Sequence, residues 1–305
     1  MKAPIRINMM NQKELLMSCL IALFSVSPSF AQSQGTPTGQ QTQQSPPLTT
    51  NSTPSSIRAE AGAETPAKPT DKPSSDQASE ARDTFTYGAE MDFNSRNVWR
   101  GLLLDDGPVG QPSAWISAFG FTFTAYSNVA MTSASGGAGL KATGLTLTYD
   151  RDWEKLKIEA ALDSYMGRQS SDIEAQNTME CSLGLSYPAG PLRIFTTHAF
   201  DVLAYRGSYF GEAGLEYKRQ VTKSAEFMIS ARSGWASAKF NDAYIGVNKS
   251  AFNFVGVEVS GAYYLGPRMY FRPHIEFSSI TDRRLRGQLA PANIVNFGLA
   301  FGFTK

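Results

Sequence analysis

Histidine and cysteine are nearly absent. The chain of 305 residues has two histidines, His198 and His274, and two cysteines, Cys19 and Cys181. Cys19 lies in a segment read below as removed on export. One mature cysteine excludes an internal disulfide framework and a thiolate zinc site. Two histidines leave little for a histidine-based metal centre, and no cofactor-binding or metal-binding spacing occurs. Beyond the amino terminus there is no run of roughly 18 apolar residues, which excludes helical membrane spans. A barrel is not excluded, because its strands are only half apolar. Excess charge is missing too: 28 Lys+Arg stand against 27 Asp+Glu, a net +1. Neither nucleic acid nor another polyelectrolyte is implied as a partner.

What is present is strongly patterned. Residues 1–31 have the layout of a secretory signal. Lys2, Arg6 and Lys13 form a basic start, residues 15–26 (LLMSCLIALFSV) an apolar run, and Ser29-Phe30-Ala31 a small-residue cleavage site. A lipoprotein reading through Leu16-Met17-Ser18-Cys19 fails, because most of the apolar run follows Cys19. Residues 32–83 are rich in Gln, Ser, Thr and Pro, with Leu48 and Ile57 almost the only aliphatic residues. Such a segment cannot offset its ordering entropy and is expected to be a disordered periplasmic linker. About fifty flexible residues reach roughly 40 Å end to end.

From Thr84 the composition changes. Phe85, Tyr87, Ala89, Met91 and Phe93 alternate with Thr84, Thr86, Gly88, Glu90 and Asp92, and similar alternation recurs to the carboxy terminus. The pattern predicts twelve strands, at 84–100, 112–118, 121–130, 143–151, 155–166, 177–187, 191–200, 207–218, 225–236, 250–264, 269–279 and 293–303. Their connections alternate in length. Short ones occur at Phe119-Gly120, around Asp152-Trp153-Glu154, at 188–190, at 221–224 and at Gly266-Pro267-Arg268. Long ones lie at 101–111, 131–142, 167–176, 201–206, 237–249 and 280–292. Short periplasmic turns and long external loops characterise outer-membrane barrels. A soluble sandwich would also alternate its faces, with the polar side outward, but has no reason to alternate its connections.

The last strand carries a resemblance. In VNFGLAFGFTK (295–305), Val295, Phe297, Leu299, Phe301 and Phe303 point one way, and Asn296, Gly298, Ala300, Gly302 and Thr304 the other. An alternating strand ending on an aromatic resembles the carboxy-terminal strand of bacterial outer-membrane β-barrels, where it closes the barrel and is read by the insertion machinery. Here Thr304 and Lys305 follow the aromatic. Leu145, Leu147 and Tyr149, with Val255, Val257, Val259 and Tyr263, make lipid-facing rows. Tyr149, Tyr187, Tyr217, Trp235 and Tyr263 near strand ends suit an aromatic girdle. The expected fold is an all-β transmembrane antiparallel barrel over 84–305, in the outer membrane and in contact with lipid and lipopolysaccharide.

The opposite strand faces are charged. Charges facing lipid would cost several kcal/mol each, so these must face the lumen. The candidate lumen residues are Glu90, Asp92, Arg96, Arg100, Lys157, Glu159, Glu180, Arg193, Glu212, Arg232, Glu258, Arg272, His274 and Glu276, with Asp150, Asp163 and Glu216 on the same faces. They either pair into networks that stiffen a closed barrel or line a water-filled pore for small hydrophilic solutes. Mixed signs argue against a strong ion preference.

A catalytic reading fails on the motifs. Twelve-stranded outer-membrane phospholipases pair His-x-Ser on one strand, whereas here His198-Ala199-Phe200 and His274-Ile275-Glu276 supply no nucleophile. His198 and Asp201 are close enough in sequence for a structural pair. The most distinctive segment is Asn94-Ser95-Arg96-Asn97-Val98-Trp99-Arg100-Gly101-Leu102, followed by Asp105-Asp106-Gly107 and Gln111-Pro112-Ser113. It resembles the opening of a porin-like group of outer-membrane barrels in which an aromatic-Arg-Gly ends the first strand. Arg96 and Arg100, four apart, are expected on one strand face, latched by Asp105 and Asp106. Loop 280–292, with Asp282, Arg283, Arg284 and Arg286, is expected to be a charged external loop.

Overall fold

In the computed structural model, residues 85–132, 139–167 and 177–305 are described. The expected signal at 1–31 and linker at 32–83, with residues 133–138 and 168–176 of two expected loops, lie outside them. The chain first forms β1 (Thr86–Asn94), β2 (Asn97–Trp99), β3 (Leu102–Asp105), β4 (Val109–Ala118) and β5 (Phe121–Ala130). Next come β6 (Gly139–Trp153), β7 (Leu156–Gly167), β8 (Thr178–Ala189), β9 (Leu192–Asp201), β10 (Tyr209–Thr222) and β11 (Ala225–Ala236). A helix α1 (Ala238–Ile245), β12 (Ala251–Tyr264), β13 (Met269–Ile280), a one-turn helix α2 (Arg283–Gln288) and β14 (Asn293–Thr304) complete it.

All strands but β2 and β3 form one closed antiparallel barrel of twelve, in which β1 pairs with both β4 and β14. Closure satisfies every strand edge, as a barrel in lipid requires. The expected count and the short turns are therefore found. At one of these turns Phe119 and Gly120 both take positive φ, 55° and 81°, as a two-residue hairpin that follows the strand twist demands.

The faces separate cleanly. On β14, Phe297 and Phe301 are 59% and 48% exposed, while Asn296 and Ala300, each one residue before them, are 5% and 0% exposed. Exposed Leu145, Leu147, Ile194, Leu215, Ile229, Val257 and Phe277 continue this outward apolar surface around the wall. A protein in water does not expose so extended an apolar surface. Aromatic pairs mark both ends of the wall: Phe121 with Tyr149 at 4.7 Å near the short turns, and Trp235 with Phe252 at 6.1 Å near the long loops.

The first strand departs from expectation. A continuous strand over 84–100 is not formed. β1 stops at Asn94, where Ser95 and the Arg96 amide bond to the Asn296 side chain at 3.1 Å each. The chain then turns inward, and β2 and β3 form a separate hairpin. At its tip Arg100 and Gly101 take φ of 50° and 78°. A Cβ on Gly101 would lie 2.6 Å from Phe254, so only glycine fits this turn.

The hairpin is the centre of an apolar core. Trp99, Leu102 and Leu104 pack with Phe210, Phe254 and Ile280 of the wall, and with Phe240 of α1 and Leu285 of α2. The long loops expected at 237–249 and 280–292 thus contain helices that bury apolar side chains. Ser237 caps α1 by accepting from the Phe240 amide at 3.2 Å. Asp282 caps α2 and pairs with Lys249, whose ammonium holds the Asp282 carboxyl below its ordinary range.

Candidate functional site: the barrel lumen

Glu90, Asp92, Arg96, Arg100, Lys157, Glu159, Arg193, Glu212, Arg232, Glu258, Arg272, His274 and Glu276 all border one cavity of about 390 Å³ inside the barrel. For those on the barrel strands the period of two explains this, since alternate residues of a strand face the same side; Arg96 and Arg100 lie outside those strands. Glu180 does not border the cavity. It is 2% exposed, behind Arg100.

Arg96 and Arg100 do not share a face. Because the chain bends after Asn94, Arg96 stays near the rim, 2.7 Å from Asp106. Arg100 reaches into the barrel and donates to both Glu180 oxygens, at 2.9 and 2.6 Å. Tyr165 donates to Glu180 at 3.1 Å. The Arg100 guanidinium also lies 4.5 Å from the Trp99 ring centre and 4.6 Å from that of Phe210. A forked cation with flat faces suits both contacts at once. The expected latch therefore exists in another form. Asp106 holds Arg96, while buried Asp105 turns back to accept from the Gly107 amide at 3.0 Å.

The second feature is the seam where β1 meets β14. The inward residues of β14 are small: Gly298 and Gly302 pair with Asn94 and Glu90 on one side, and with His274 and Tyr270 on the other. Side chains of β13 therefore reach across β14 to β1. Tyr270 donates to Glu90 at 2.5 Å, Arg272 to Glu90 at 3.1 Å, and His274 bonds Asn94 at 3.0 Å. A Cβ on Gly298 would lie 2.2 Å from the His274 ring. The small face of the last strand is thus the space that the seam's polar contacts occupy. His274 also stands 3.8 Å from Asp92.

Sequence reasoning assigned no pairing to the amides beside this seam. Gln111 donates to Asn128 at 2.5 Å and accepts from Asn94 at 3.0 Å, and Asn296 donates to Asn94 at 2.8 Å. Asn94 and Gln111 stood in the distinctive segment, but their pairing depends on register. Other lumen contacts join Arg193 to Glu216 at 2.7 Å, Lys157 to Asp150 at 3.5 Å, and Arg232 to Glu276. On β4, β5 and β6 the lining is neutral, including Gln111, Ser113, Thr124, Tyr126, Thr146 and Thr148.

His198 does not pair with Asp201. It stacks on Tyr209 and bonds its hydroxyl at 2.9 Å. Asp201 accepts from Thr178 and from the amides of Leu203 and Tyr205, both at 2.9 Å. Among the described residues, no group of His, Cys, Asp and Glu suited to a metal ion occurs.

No family model and no curated protein matches the chain. Solved structures do. A KdgM porin matches at 11% identity and a TM-score of 0.41, over 72% of this chain and 98% of that one. A NanC porin matches at 10% and 0.45, over 70% and 98%. An outer membrane channel from Pseudomonas putida F1 matches at 10% and 0.45, over 73% and 96%.

Proposed function

We propose that the protein is an outer-membrane channel for small hydrophilic solutes, narrowed from within by the β2–β3 hairpin. In this reading residues 1–31 direct export, and residues 32–83 form a periplasmic spacer. β14 engages the insertion machinery, and the outer wall contacts lipid and lipopolysaccharide. The observation that carries the proposal is the polar, charged cavity of about 390 Å³ inside a wall that is apolar outside. Filling such a barrel with apolar side chains would be the simpler way to close it. Instead the cavity extends from Trp99 and Arg100 at the hairpin to Lys157 and Arg193, next to the short turns.

A second reading, a closed interaction barrel, draws on the ion pairing of Arg100, Arg193, Arg232 and Arg272 and on the crossing of the lumen by the hairpin. Planar-bilayer recording on the purified full-length protein separates the two. Discrete, stable conductance steps are expected. Silence from a barrel that shows the gel shift of a folded outer-membrane protein would support the closed reading.

A further inference from the structure

We infer that this channel passes cations in preference to anions, an inference that rests on the channel reading above. The lumen charges are neither balanced nor evenly spread. Eight carboxylates and six cations border the cavity among the described residues. Three of the cations have their acid partners outside that lining: Arg96 with Asp106, Arg100 with Glu180, and Lys157 with Asp150. Only Arg193, Arg232 and Arg272 are left to offset the eight carboxylates.

Six of those carboxylates, Glu90, Asp92, Glu212, Glu216, Glu258 and Glu276, stand on the sector running from β10 through β14 to β1. Glu258 and Glu276 are directly opposite each other in the β12–β13 ladder, an arrangement that repels. Arg232 pairs with Glu276, while Glu212 and Glu258 face the same Arg232 without a direct ion pair among the described residues. Arg272 in turn faces Glu90, Asp92 and the same Glu258, so two guanidinia stand among five carboxylates. The facing wall on β4, β5 and β6 offers hydroxyls and amides but no cation. The six lining cations, Lys157 on β7 and Arg193 on β9 among them, are each already ion-paired with an acid, so an anion crossing the cavity has no open cation to follow. A cation has the acidic sector, with hydroxyl oxygens opposite to replace lost hydration.

Arg283, Arg284 and Arg286 at the long-loop end do not reverse this. They are exposed and screened over about 10 Å in ordinary salt, whereas charges lining a narrow low-dielectric passage act on every ion that enters it.

The test is the reversal potential of the purified full-length protein in a planar bilayer under a KCl gradient. A potential on the potassium side is expected, with a preference of several-fold that weakens as salt rises. In the double variant Glu212→Gln/Glu258→Gln the preference should fall toward unity while conductance steps persist. A zero or chloride-side potential in the wild type overturns the inference and leaves the channel standing. So does an unchanged preference in the folded double variant. If the variant does not fold, liposome swelling by the wild type decides, with cationic solutes expected to enter faster than anionic ones of equal size. Absence of any conductance in the folded wild type overturns the channel reading, and the inference with it.

Discussion

Arg100 combines a strained backbone position with two kinds of side-chain contact. Its backbone takes the left-handed conformation at the hairpin tip, its two terminal nitrogens bond Glu180, and its flat faces lie against Trp99 and Phe210. Removing one member of a buried pair costs roughly 3–5 kcal/mol, because the other charge is left uncompensated. Arg100→Ala should therefore destabilise the folded barrel by about that amount and, by releasing the hairpin, raise the conductance. Thermal unfolding and bilayer recording check both. A variant with wild-type stability and conductance would show that Arg100 does not hold the hairpin. The residue itself was legible in the sequence, inside a distinctive aromatic-Arg-Gly. Its partner was not. Glu180 is 80 positions away, and nothing local distinguishes it from the other inward acids.

At the scale of elements, the seam and the inward-folded loops matter most. The seam works because β14 is narrow on its inner face. Gly298→Val should push the His274 ring off Asn94, removing a hydrogen bond worth about 1 kcal/mol and adding roughly 1–3 kcal/mol of overpacking. A lowered unfolding temperature with the barrel still assembled is expected. An unchanged temperature would mean that the seam's side-chain contacts contribute little beside the backbone ladder. The alternation of β14 was readable directly, and its small face was visible as such. That the small residues make room for side chains from β13 could not be read, because it depends on three strands in register. The hairpin was missed. The expected strand runs on through 95–99 although the alternation of β1 breaks there, with Ser95 and Asn97 at its apolar positions and Val98 at a polar one. The Asn296 contacts and the positive φ of Arg100 and Gly101 show where the chain leaves the wall.

The whole molecule is a wall with an apolar outside and a polar inside, and neighbouring residues of one strand belong to different solvents. Val257 is 40% exposed on the outer face, and Glu258 beside it is 7% exposed on the inner. Val257→Arg should block or weaken membrane assembly, at about 2–4 kcal/mol for an arginine facing the bilayer midplane. Glu258→Gln should assemble normally. Heat-modifiability after refolding into lipid distinguishes them, and equal tolerance of both would reverse the assignment of faces. The sequence by itself determined the barrel, its twelve strands and the alternating turns. It could do so because strand period and connection length are local properties. Only the tertiary structure decided which charges neutralise which, that the β2–β3 hairpin and the two loop helices pack inside the wall, and that the remaining carboxylates gather on one sector. Those outcomes depend on inter-strand register and on contacts between residues far apart in the chain, and no local pattern encodes them.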